Sequence, residues 1–302
     1  MSANAIKRMR SMGEETNPVD GTISWSPVKS LWYSSHGFIA LYGSVVFFDW
    51  RAVLVCGVLT VVTLCCGHTV GLHRMLIHRS LHCPLWLERF LIYLGTLVGM
   101  GGPFGMIYLH DIRDWAQRHE RCHAFFIHSA GFLTDWWYNL HCRIRLDHPP
   151  ELTIEAERLN DRFLRFLQST WMLQQLPIAL LLYWLGGWSF VVMGVSGRIF
   201  LSLTGHWLIG FFAHNHGIQR WRIRGHAVQG YNLPYLGLLT MGESWHNNHH
   251  AYPDSARLGH GKQADPGWWF VRVLLGVGLA SEVSLAENLP PRPERVELDF
   301  RR

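Results

Sequence analysis

The stretch GESWHNNHHAYP, residues 242–253, places His246, His249 and His250 within five positions. Histidine is only a modest helix former, so so dense a cluster implies metal ligation or proton handling. Two further groups share this character: HRMLIH, with His73 and His78, and HERCH, with His119, Cys122 and His123. On a helix, the spacings i, i+3 and i+4 of HERCH and HNNHH would bring the imidazoles to one face. The i, i+5 spacing of the first group fits a regular helix poorly. It works where the helix ends between the two, or where they serve different metals. In GHWLIGFFAHNHG, His206, Gly210 and His214 also descend one helical face.

The seven box histidines and His214 make eight imidazoles, enough for two metal ions. A structural zinc needs four ligands and favours thiolates, whereas imidazole suits iron, zinc or copper. A histidine-lined transport path is the competing reading. Transport predicts polar groups within membrane spans, and these histidines lie outside them. The six cysteines form no CxxC pair and indicate neither a disulfide framework nor a zinc ribbon, which fits a reducing compartment.

The elements that must position these groups are apolar. Charged residues make up 16% of the 302-residue chain, against about 25% in soluble proteins. Membrane spans are expected over 30–48, over 52–72 after an Asp49-Trp50-Arg51 turn, and twice within 171–213, divided at Gly186-Gly187-Trp188. The glycine-rich run 85–106 suits an interfacial or re-entrant helix. The expected fold is an all-α integral membrane protein, with four transmembrane helices in two hairpins and a cytoplasmic helical cap carrying the histidines. Its divisions are a tail (1–29), hairpin one (30–72), a segment with the first two boxes (73–170), hairpin two (171–214), and a segment with the third box and a solvated polar tail (215–302).

Positive charge fixes the orientation. The hairpin tips carry almost none, while Lys7, Arg8, Arg10 and Lys29, the arginine-rich centre, and Arg220, Arg222 and Arg224 should face the cytoplasm. Arg198, inside the fourth span, needs an ion pair or carbonyl partner in the bundle interior. No basic run with interleaved aromatics marks a nucleic-acid groove. The preference for arginine over lysine hints at a bacterial source, and so at an inner membrane.

The succession HRMLIH, WAQRHERCH and GESWHNNHHAYP, interleaved with two apolar hairpins, resembles the membrane fatty acyl desaturases, the stearoyl-CoA desaturase branch in particular. The resemblance runs from about residue 70 to 253. It implies a non-haem di-iron centre that uses O2 to put a cis double bond into a long acyl chain, a delta-9-type reaction on an acyl thioester. It also implies electrons from NAD(P)H through a ferredoxin- or haem-type carrier, expected as a separate protein. By motif, the ligands would be His73, His78, His119, His123, His214, His246, His249 and His250. Trp115 and Trp207 would line the acyl tunnel, Arg121 would meet the headgroup, and Glu243 would orient a ligand histidine. Two positions depart from the family pattern: Cys122 stands where its second box has histidine, and Gly210 where it has an asparagine that holds a metal-bound water. His206, rather than Cys122, is expected to complete the centre. A lipid or isoprenoid hydroxylase on the same scaffold, or a weakened metal- or lipid-binding homologue, are the alternatives.

Overall fold

The computed structural model describes residues 8–13 and 16–298. Lys7 and residues 299–302 of the expected tail lie outside the described residues. Helix α1 (Pro27–Val46) opens on a proline, whose missing N–H costs nothing in a first turn. The tight turn after it ends at Asp49, whose carboxylate accepts from the Arg51 amide at 2.9 Å and caps α2 (Trp50–Ile77). Helices α3 (Leu85–Leu97), α4 (Pro103–Gln117) and α5 (Phe132–His141) follow, then the long α6 (Gln175–Asn215), the short α7 (His246–Ala251) and α8 (Pro266–Gly276).

Two of these, α2 and α6, are long and apolar enough to cross a membrane. Within α6 the helix breaks at Gly187, whose φ of 66° and ψ of −155° reverse the chain. Leu182 on one arm then packs against Gly194 on the other, so α6 is a helical hairpin turning where the glycine pair was expected to turn it. Its second arm meets α1 at Gly43 and α2 at Cys56. The two reversals, 47–51 and 186–189, line one shallow groove and therefore sit at the same end of the bundle. Arg198 is fully buried; it donates to the carbonyls of Gly194 and Leu97 and to the Gln175 side chain.

From Thr63 onward α2 winds as a π-helix, with i→i+5 hydrogen bonding. It lies directly on α3. A Cβ at Gly67 would come within 2.3 Å of the Gly95 nitrogen, and one at Gly71 within 2.6 Å of the Leu91 carbonyl oxygen. This small-xxx-small stripe lets the backbones touch. The run after residue 85 is thus a helix packed on the histidine-bearing end of α2, and Leu91, Ile92, Leu72 and Leu76 share one core with α8.

Both polar ends turn out to be structural. Strand β1 (Met9–Arg10) pairs with β4 (Glu151–Leu152), and β2 (Gly21–Trp25) with β3 (Cys142–Leu146), all antiparallel. The buried Arg8 donates to the last carbonyls of α2, Leu76 and Ile77, and pairs with Asp111 and Glu155. A guanidinium at a helix C-terminus satisfies its orphan carbonyls and its dipole together. The C-terminal stretch expected as a solvated tail is half-exposed to exposed through Leu298, and it is held in place. Strand β6 (Arg295–Glu297) pairs with β5 (Trp221–Ile223), and Arg292 and Arg295 donate to the carbonyls of His250 and Ala251, which close α7.

Candidate metal centre

The π-turns of α2 resolve the awkward first spacing. The His78 amide donates to the His73 carbonyl at 3.0 Å, an i→i+5 bond, so His73 and His78 fall on one face. Their ring centroids lie 4.8 Å apart. Helix α7 solves the third box differently. One turn presents His246 and His250 to one side, and His249 to its neighbour. The result is two groups whose ligand atoms lie within 4.8 Å of one another: His73, His78, His110 and His249; and His214, His246 and His250.

The donor chemistry fits metal ions. His110 Nδ1 meets Asp111 Oδ1 at 3.0 Å and His214 Nδ1 meets the Gly210 carbonyl at 2.7 Å. Both oxygens only accept, so in the neutral ring each Nδ1 carries the proton and each Nε2 presents a lone pair. Those lone pairs face other ring nitrogens: His110 Nε2 is 3.1 Å from His78 Nε2, and His214 Nε2 is 3.1 Å from His246 Nε2. His246 Nε2 is also 3.0 Å from His250 Nε2. One proton on His246 can serve one of these neighbours, not both. A cation satisfies all three. Burial holds His78, His246 and His249 well below the ordinary histidine range and His250 down to about 4, so these rings are neutral, as ligation requires. Glu243 Oε2 lies 2.9 Å from His73 Nδ1, close but not aligned as a hydrogen bond, and Oε1 is buried without a partner among the described residues.

The structure does not bring His119 and His123 into either group. Helix α4 ends at Gln117, so HERCH is not helical and its i, i+3, i+4 spacing has no common face. His119 Nδ1 donates to the Trp115 carbonyl at 2.8 Å, and His123 is extended and caps the short turn that follows. Cys122 is packed among Trp115, Phe125 and Phe126, and burial pushes its thiol up to about 12. His206 also lies outside both groups, its ring 5.2 Å from that of His68. Trp115 belongs to the Cys122 cluster, Arg121 is exposed, and Trp207 is buried with its Nε1 donating to Asp135 at 2.8 Å.

Two residues that sequence reasoning missed stand out. His110 supplies the fourth imidazole of the first group, from mid-α4. His128, in the left-handed region at φ 58°, stacks on His214 with centroids 5.1 Å apart. Asp135 accepts from its Nδ1 at 3.0 Å, and its Nε2 accepts from Arg113 at 2.8 Å. A Cβ at Gly210 would sit 3.3 Å from the His128 ring, so the glycine makes room for this buried Arg–His–Asp chain.

An sn-1 stearoyl-lipid 9-desaturase of Anabaena variabilis is 35% identical over 270 residues, which cover 85% of this chain and 95% of that protein. The chain belongs to the fatty acid desaturase family. It is an oxidoreductase of lipid metabolism. This desaturase is also 33% identical over 254 residues to an sn-1 stearoyl-lipid 9-desaturase of Synechocystis, spanning 79% and 74% of the two chains. It is 30% identical over 251 residues to an acyl-CoA C20 Delta5-desaturase of Anemone leveillei, spanning 81% and 78%. No protein-family model matches the chain.

Proposed function

We propose that this desaturase holds two iron ions, one among His73, His78, His110 and His249 and one among His214, His246 and His250, and introduces a double bond at carbon 9 of a long acyl chain carried as a lipid ester. The observation that carries the reading is the convergence of seven imidazoles on two points. Iron there would supply the activation of O2 that removing two hydrogens from unactivated methylenes demands. The protein's part is to hold the rings. Asp111 fixes His110, the Gly210 carbonyl fixes His214, and Glu243 sits against His73.

Trp207, fixed through Asp135 one layer from His214, is the better candidate for a wall of the acyl slot; Trp115 serves packing. Arg121 would meet an anionic headgroup from its exposed turn. The arms of α1, α2 and α6 would make four spans, with both reversals on one side of the membrane and the histidines and termini on the cytoplasmic side. Electrons would come from a separate ferredoxin- or haem-type carrier. A thioester substrate is the second reading, favoured by the likeness to the acyl-CoA desaturase of Anemone leveillei.

The test is expression in a host lacking desaturases, with the double bond located by mass spectrometry in the lipid and acyl-CoA pools at early times. A C9 double bond that appears first in intact lipid supports the proposal. First appearance in acyl-CoA would favour the second reading. Hydroxylated chains, or unchanged lipids from iron-loaded protein, would refute desaturation.

A further inference from the structure

The two histidine groups are unequal: four imidazoles in the first and three in the second. Helix α4 runs past both. At one position His110 joins the first group, with its Nε2 3.1 Å from that of His78. Two turns later Gln117 reaches the second, with its side-chain nitrogen 3.4 Å from His214 Nε2. Residues 110, 114 and 117 are spaced i, i+4 and i+7, so they share one helical face. The residue between the two contacts is Asp114. Its carboxylate is turned along the helix onto Arg118, at 2.5 Å.

Charge gives this placement its meaning. Neutral imidazoles bring no compensation, so two divalent cations buried among them would leave about four positive charges without an anion, a costly state in a low-dielectric site. Of the neighbouring carboxylates, Asp111 is engaged by His110 and Arg8, and Glu243 stands against His73 of the first group. Resting on the metal-centre reading above, we infer that Asp114 is the fourth ligand of the second metal position. It completes His214, His246 and His250 with an anionic oxygen by turning away from Arg118. The two positions are then chemically distinct, one all-nitrogen and one a three-histidine, one-carboxylate set.

Metal content tests this without reference to activity. The detergent-purified protein would be loaded with Fe(II) or Co(II) and desalted against a weak chelator, then read by elemental analysis and by Co(II) absorption. The wild type should retain two ions, Asp114→Asn one, and Asp114→His two again. Arg118→Gln should retain two, which separates ligation from a surface ion pair. Two ions in Asp114→Asn at unchanged affinity would overturn the inference alone, as would the same loss in Arg118→Gln and Asp114→Asn. A wild type that binds no metal would overturn the metal-centre reading and the inference with it.

Discussion

Replacing Asp265 by alanine should damage this protein more than any surface charge change. Asp265 and Arg74 are each buried, and the pair is 2.8 Å apart. Arg74 directly follows His73, and among the described residues its only other hydrogen-bond partner is the Ala256 carbonyl at 2.6 Å. Asp265 also accepts from the amides of Leu258, Gly259 and Trp268. One carboxylate therefore ties α2 to the loop after α7 and caps α8. Its loss strands a buried guanidinium, which costs about 3–5 kcal/mol. It also orphans three amides at about 1 kcal/mol or more each where water cannot reach them. Partial relaxation makes these terms overlap, so the expected loss is about 4–6 kcal/mol.

The assay is thermal unfolding in detergent, followed by tryptophan fluorescence, with retained metal measured alongside. Asp265→Ala should lower the melting temperature by on the order of 10 °C and release metal from the His73 group first. The double variant Arg74→Met with Asp265→Leu removes both charges and should regain a large part of the loss, because replacing a buried pair with apolar groups is often neutral. A single variant within about 1 kcal/mol of wild type would refute the reasoning. So would a double variant worse than the single.

Two further outcomes follow from the placement of the second box. His110→Ala should cost one metal and nearly all activity, while His119→Ala and His123→Ala keep both metals; the opposite pattern in elemental analysis would restore HERCH as the ligand box. Because burial pushes its thiol up to about 12, Cys122 stays protonated and enclosed, so iodoacetamide at pH 8 should leave it unlabelled until the protein is unfolded, as peptide mass spectrometry would show. Labelling of the folded protein would contradict that burial.

The sequence was most legible where one physical rule governed. Apolar length marked α2 and α6, and Gly186-Gly187 marked the reversal between the arms, because a φ of 66° is one that glycine adopts freely. HNNHH was readable because it is helical, and there spacing is geometry. HERCH stands outside both groups for the converse reason: its spacing is helical, but the helix stops at Gln117, so the pattern had no face to act on. A rotation of α4 extended back from that end would have pointed to His110, four residues before Asp114 and one turn from Arg113. The π-winding of α2 was invisible in local spacing; it coincides with the stretch where Gly67 and Gly71 lie against the backbone of α3. Gly210 looked like a loss when judged by its own missing side chain. In the fold it is the space taken by His128, held from 82 residues away in the chain by Arg113 and Asp135. A departure at one position of a site is therefore interpretable only with the residue that fills the gap, and that residue is found by structure.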